Sequence, residues 1–213
     1  MISREYLKGL EVETIERYRK RLNQFGRDPR SLGWGHSDHQ ETRFDAALSL
    51  ANYRNKRILD IGCGFADFYH FLKRRDCPPL SYTGIDINEH LLEISRRESP
   101  EVQFECRNIL MDPIQEAVAD ITVMFGMLNF RLQVSNDDYA KEMIQRAWVT
   151  CREALVVDML STYRDPSYPP EDFVYYYEPE KMFQFAQTLT PRVVLKQDYP
   201  PIPQREFMMV LRK

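Results

Sequence analysis

The chain has 213 residues, 43% apolar and 29% charged, with a formal net charge of -3. That composition suits a soluble globular domain with a sizeable core, and the absence of repeats or low-complexity tracts argues against solenoids and propellers. The near-neutral charge and the lack of a basic stripe argue against a nucleic-acid binder, whose affinity comes from neutralising phosphates.

The first predicted element is a charged helix. Tyr6, Leu7, Leu10, Ile15, Tyr18 and Leu22 recur at spacings near three and four and give it one apolar face. Gly26-Arg27-Asp28-Pro29-Arg30 breaks it. Leu32-Gly33-Trp34-Gly35-His36-Ser37-Asp38-His39 follows, and a second helix is expected from about Gln40 to Asn52 with Phe44, Leu48 and Ala51 inward. Strands and helices then alternate. The predicted strands are Arg57 to Ile61, Tyr82 to Ile87, Val102 to Cys106, Asp120 to Phe125 and Ala154 to Met159. Between them lie helices from Phe65 to Arg74, from Glu89 to Arg97 with Asn88 as cap, and from a cap at Asp137 or Asp138 to about Thr150. Near-continuous apolar strands separated by helices indicate a parallel sheet covered on both faces. After a Pro- and Tyr-rich stretch from Tyr163 to Pro179 comes a helix over about Glu180 to Thr188. Arg192 to Gln197 and Phe207 to Arg212 then read as two strands with no room for a crossover helix, so their connection must be antiparallel.

Cys63, Cys77, Cys106 and Cys151 show no Cys-x-x-Cys or zinc-ligand spacing. No secretory or lipidation signal is visible at the start, and apolar runs are far shorter than the roughly 20 residues of a membrane span. A cytoplasmic protein with no membrane partner is expected. Lys73-Arg74-Arg75 and Arg96-Arg97 read as solvated helix ends.

The chemistry concentrates at Asp60-Ile61-Gly62-Cys63-Gly64-Phe65-Ala66-Asp67, which closes a strand and opens a helix. Gly62 permits a tight turn and Gly64 lets a ligand approach the backbone. Asp86, in Gly84-Ile85-Asp86-Ile87, follows Gly62 by 24 residues, near the spacing of an acid that binds ribose hydroxyls. A dinucleotide turn would carry Gly or Ala where Asp67 stands. An acid there repels phosphate and suits a cationic ligand. A nicotinamide oxidoreductase is disfavoured for that reason.

Leu59-Asp60-Ile61-Gly62-Cys63-Gly64 resembles the first motif of the class I S-adenosylmethionine-dependent methyltransferases, and Gly84-Ile85-Asp86-Ile87 resembles their second. The resemblance runs from about Arg57 to the C-terminus, since that family's sheet also ends in an antiparallel hairpin. Ala66 stands where the family often has a third glycine. The resemblance implies a three-layer α/β sandwich with a seven-stranded, mostly parallel Rossmann-like sheet. Residues 1–55 form a helical cap and lid, residues 56–213 the cofactor sheet, together one domain. It implies S-adenosyl-L-methionine as cofactor and S-adenosyl-L-homocysteine as product; the short accessory segments and the near-neutral charge point to a small-molecule methyl acceptor. It also implies that Asp60, Gly62 and Gly64 line the methionine part, that Asp86 binds the ribose and Ile87 packs on adenine. Asn108 and Ile109 hold the adenine ring, with Asn108 bonding the exocyclic amine in place of the family's usual Asp. Phe125, Gly126 and Met127 flank the methyl group.

Several assignments stay open between chemistry and packing. Trp34-Gly35-His36-Ser37-Asp38-His39 is either a lid with His36 or His39 as general base or orienting group, or a connection plugged by Trp34. A metal at His36, Asp38 and His39 lacks a further ligand. Arg43 either clamps the methionine carboxylate or forms a salt bridge with Glu41 or Asp45. Trp34, Asn129, Arg131, Tyr163 and Tyr168 are the candidate substrate contacts, and one or two tyrosines from Tyr163, Tyr168, Tyr175, Tyr176 and Tyr177 are expected at the site. Leu128-Asn129-Phe130-Arg131 lacks the pattern of enzymes that methylate base amines. The protein is expected to be a monomer or homodimer. A non-catalytic adenosylmethionine-binding module is the competing reading.

Overall fold

Seven strands form one sheet, in which the last strand of the chain lies between the fifth and the sixth. The computed structural model describes residues 2–35, 37–164, 169–200 and 205–213. Its helices and strands, in chain order, are α1 (Arg4–Phe25), α2 (Ser37–Leu50), β1 (Arg57–Ile61), α3 (Asp67–Arg74), β2 (Ser81–Asp86), α4 (Glu89–Glu98) and β3 (Gln103–Cys106). They continue with β4 (Ala119–Met124), α5 (Asn136–Thr150), β5 (Cys151–Leu160), α6 (Pro179–Leu189), β6 (Val193–Lys196) and β7 (Glu206–Arg212). Strands β1 to β5 pair in parallel. β7 pairs antiparallel with both β5 and β6, as expected of a terminal hairpin.

The strand period of two sorts side chains onto two faces. Leu59, Leu155, Val157, Phe207 and Met209 pack with Met143, Ile144, Met182 and Ala186 of α5 and α6. Their neighbours Ile58, Val123, Val156, Met208 and Val210 pack with Phe44, Phe68 and Phe71 of α2 and α3. Helices on both faces of one sheet make three layers. Phe44 is buried as expected, while Leu48 and Ala51 are only partly covered.

Local chemistry explains the element ends. Asn88 caps α4 by accepting from His90 N–H at 3.1 Å. The cap of α5 differs from the expected Asp137 or Asp138. Ser135 Oγ accepts from Asp138 N–H at 3.2 Å, and the two acids fall in the first turn, where carboxylates suit the helix dipole. The basic clusters at the ends of α3 and α4 are matched by acids: Lys73 with Glu101, Arg74 with Glu41, Arg75 with Asp45 and Arg96 with Glu89. No helix among the described residues is long and apolar enough to cross a membrane.

Candidate functional site

The glycine turn sits where β1 runs into α3. The N–H groups of Gly62 and Cys63 both donate to the Ile85 carbonyl, at 2.7 and 3.0 Å, which anchors the turn to β2. Gly62 and Gly64 have φ of 79° and 53°, in the left-handed region that favours glycine. A Cβ on Gly64 would stand 2.9 Å from the Leu32 side chain. Ala66 has φ of 57°, so the position where related motifs often carry glycine has the same backbone need, met here by a residue that bears the strain.

Asp86 closes β2 beside this turn. Its Oδ2 accepts from Gly64 N–H at 3.0 Å and its Oδ1 from Asn88 N–H at 2.9 Å. Burial raises its pKa, and those backbone donors oppose the rise. Asp60 is buried on β1 and accepts a hydrogen bond from the Tyr82 hydroxyl. Burial, then the nearby charges of Asp86 and Asp67, push Asp60 up to about 7 against the opposing Tyr82 bond. The same surroundings hold the Cys63 thiol well above its ordinary value, so it is not a thiolate nucleophile.

These residues face a cavity beyond the carboxyl ends of the strands, the usual ligand position in open α/β sheets. Asp60, Gly62, Gly64, Asp86, Ile87, Asn108, Ile109, Phe125, Gly126, Met127 and Trp34 all line it. Gly126 has φ of 67°, and a Cβ there would meet the Trp34 ring at 2.7 Å, so the tryptophan lies directly over this turn. Gly126 N–H donates to Asp158 Oδ1 at 2.7 Å.

The other wall is α1, part of the N-terminal cap expected over the site. Leu7, Leu10, Glu11, Thr14 and Tyr18 line the cavity. Their spacing is one helical stripe, and the signal was present: polar Glu11 and Thr14 interrupt an otherwise apolar face. Burial, then the charge of Asp86, raise the Tyr18 phenol to about 12, so it stays a neutral donor. Leu128, Phe130, Leu132, Tyr139 and Met143 complete the apolar end.

Other expected site residues lie elsewhere. Arg43 does not line the cavity, and the clamp is replaced by a buried ion cluster. Its Nε donates to Glu206 Oε2 at 2.8 Å, it is paired with Asp158, and its guanidinium stacks on Trp34 at 3.9 Å. All three charged side chains are 1% exposed. The salt-bridge alternative therefore holds in kind, with different partners, since Glu41 and Asp45 pair with Arg74 and Arg75. Burial lowers the Arg43 pKa and Asp158 opposes that. Asp67 lines the cavity, but Arg27 Nη2 donates to it at 2.7 Å and Gln40 Nε2 at 3.0 Å. Its charge is thus already compensated, which corrects the argument that it repels phosphate.

His39 packs against Gly35 and does not line the cavity; His36 and Tyr168 lie outside the described residues. Asn129 and Arg131 hold the segment after β5 instead of facing the cavity. Tyr175 N–H donates to the Asn129 carbonyl at 2.9 Å and Arg131 Nε to the Asp172 carbonyl at 2.9 Å. Tyr163 is exposed and donates to Glu180, Tyr175 donates to Asp137, and Tyr177 donates to the Leu128 carbonyl. Among the described residues no tyrosine of that stretch reaches the cavity. Tyr163, Tyr175 and Tyr177 instead tie the segment to α6, α5 and the loop after β4.

Comparison with known proteins fits this geometry. Residues 58–154 match the family model of the methyltransferase domain. No relative is found among curated proteins by sequence. Among solved structures, DhpI in complex with S-adenosylhomocysteine superposes with a TM-score of 0.67 at 12% identity, over 95% of this chain and 96% of that one. Magnesium protoporphyrin IX methyltransferase from Synechocystis PCC 6803, with bound S-adenosylhomocysteine, gives 0.63 at 11% identity over 93% and 94%. A methyltransferase from Archaeoglobus fulgidus gives 0.59 at 12% over 83% and 94%. Residues 58–154 thus match a methyltransferase domain, and the seven-stranded fold is the one shared with these solved methyltransferases.

Proposed function

We infer that the protein binds S-adenosylmethionine in this cavity and transfers its methyl group to an oxygen or nitrogen of a small molecule. The observation that carries the reading is Asp86. Gly64 and Asn88 N–H each bond a different oxygen of the Asp86 carboxylate, and the group still lines the cavity, where it can accept from the ribose hydroxyls. The surrounding set fits the ligand as well: acids suit its ammonium and sulfonium, and the glycines leave room for its methionine part. That solved structures of the same fold hold S-adenosylhomocysteine supports this choice of ligand.

When bound, S-adenosylmethionine supplies a methyl group on a sulfonium, already a good leaving group. The chain's own task is to align and to exclude water. Asp60 holds the ammonium end. Trp34 and α1 roof the cavity, and Met127, Leu128 and Met143 keep the acceptor end dry. Tyr18 and Tyr139, both raised to about 12 by burial, remain neutral donors that can orient an acceptor. With His39 outside the cavity, no base is assigned; an amine acceptor can shed its proton after transfer. A roofed, apolar-walled cavity and paired surface cations favour a small acceptor over a nucleic acid. One domain, with residues 1–55 as cap and lid over 56–213, and a cytoplasmic location are part of this reading.

S-adenosylhomocysteine is expected to raise the melting temperature and NAD(H) to leave it unchanged in a thermal shift assay. Stabilisation by NAD(H) alone sinks the reading. Binding without methyl transfer to any component of a cell extract, followed with labelled donor, leaves a non-catalytic module.

A pH dependence follows from Asp60. Its folded pKa of about 7 lies above the ordinary carboxylate value, so it is protonated in the free protein below about 7. The ligand's ammonium favours the ionised form, so binding releases a proton. S-adenosylhomocysteine affinity should therefore rise with pH up to about 7 and level off above it. The sign for folding is opposite: the folded chain holds this proton more tightly than the unfolded chain, so Asp60's contribution to stability falls as pH rises from about 4 to about 7. Asp60→Asn should flatten the binding profile, measured by titration calorimetry. A variant profile as steep as the wild type would remove Asp60 from the ammonium site.

A further inference from the structure

Glu11 is an acid on the cavity wall for which the methyl transfer described above has no use. It belongs to the α1 stripe that faces the cavity, and among the described residues no cation pairs with it. Its partner is Asn108, after β3, whose Nδ2 donates to Glu11 Oε2 at 2.8 Å. The other end of that amide is committed too, because Leu110 N–H donates to Asn108 Oδ1 at 3.1 Å. A backbone N–H can only donate, so the amide oxygen must face Leu110 and the nitrogen must face Glu11. Asn108 therefore offers the cavity a donor, and Glu11 offers an acceptor beside it. The expected bond from Asn108 to an exocyclic amine would set donor against donor.

We propose that Glu11, delivered from the N-terminal helix, selects adenine in the methyl donor: its carboxylate accepts the exocyclic amine N–H while Asn108 Nδ2 donates to the adjacent ring nitrogen N1. This rests on the methyl-donor reading. The adenine edge carries a donor at the amine and an acceptor at N1, and the 2.8 Å between Asn108 Nδ2 and Glu11 Oε2 is comparable to the separation of those two base atoms. Ile87 and Ile109 line the same part of the cavity and supply faces for the ring. Hypoxanthine reverses both positions, with an oxygen in place of the amine and a proton on N1. Its oxygen would face the Glu11 carboxylate and its N1–H would face the Asn108 donor. Both mismatches repel, so the pair rejects the wrong base as well as holding the right one.

The test compares S-adenosylhomocysteine with S-inosylhomocysteine by titration calorimetry on the wild type and on Glu11→Gln. The wild type should prefer the adenosyl compound by roughly 100-fold. Glutamine keeps the length and can turn its N–H toward the inosine oxygen, so the preference should narrow to less than about 10-fold while chemical denaturation shows unchanged stability. A wild type that binds both compounds equally, or a folded variant that keeps the wild-type ratio, overturns the Glu11 assignment and leaves the methyl-donor reading intact. A wild type that binds neither compound overturns both. The wild-type ratio is read on the unaltered protein, so the assignment stays exposed to refutation even where the variant folds poorly.

Discussion

Exchange of Asp86 for alanine should weaken S-adenosylhomocysteine binding by about 100-fold. A hydrogen bond to a charged group contributes about 1.5–3 kcal/mol, and the carboxylate is placed to accept two from the ribose. Losing both costs about 3 kcal/mol or more, which corresponds to roughly two orders of magnitude in Kd. The same change leaves the N–H groups of Gly64 and Asn88 without their acceptor, so it also loosens the turn. Titration calorimetry together with urea unfolding separates the two effects, because a purely structural loss would lower stability without a matching loss of affinity in the folded fraction. Affinity within about threefold of the wild type would mean that the ribose lies elsewhere.

Exchange of Arg43 for alanine should lower the unfolding free energy by about 3–5 kcal/mol, the range found when one partner of a buried ion pair is removed. The guanidinium is the shared partner of Asp158 and Glu206, each 1% exposed, and its loss leaves both carboxylates in a dry interior. Asp158 already has a raised pKa, chiefly from burial, with Arg43 opposing the rise; without Arg43 it should rise further and take up a proton. The variant's deficit should therefore shrink in acid, as both acids become neutral. Trp34 also loses its stacking partner, so ligand affinity should fall along with stability. Urea denaturation at several pH values measures the effect. A loss below about 1 kcal/mol would show that the cluster is worth little net, as some buried ion pairs are.

The sheet was legible because its strands are nearly continuous apolar runs, and burial on both faces demands just that. The turn was legible for a related reason: glycines with positive φ are needed where a strand folds sharply into a helix, and Gly62 and Gly64 mark the place. What could not be read is who pairs with whom at long range. Asp67 looked like a bare charge, yet Arg27 reaches it from 40 residues away. Arg43 looked like a ligand clamp, yet its hydrogen-bond partner Glu206 lies 163 residues on. Local periodicity carries no record of such pairings. The tyrosines after β5 misled in the opposite direction, because a cluster of aromatic residues reads alike whether it lines a site or packs a loop. The apolar stripe of α1 was seen, but a stripe does not say whether it covers a core or a cavity.

The position of β7 between β5 and β6 has a consequence for how the chain reaches its folded state. β7 follows both neighbours in sequence, and it carries Glu206 at its start. Until it docks, β5 presents an unpaired edge with the apolar run Ala154–Val157 at its middle, β6 has nothing to join, and Arg43 lacks one of its two acids. Exposed apolar strand edges invite pairing with other chains. The fold is thus closed by contacts between segments far apart in sequence, a topology associated with slow folding, and the interval before β7 arrives is when self-association would compete.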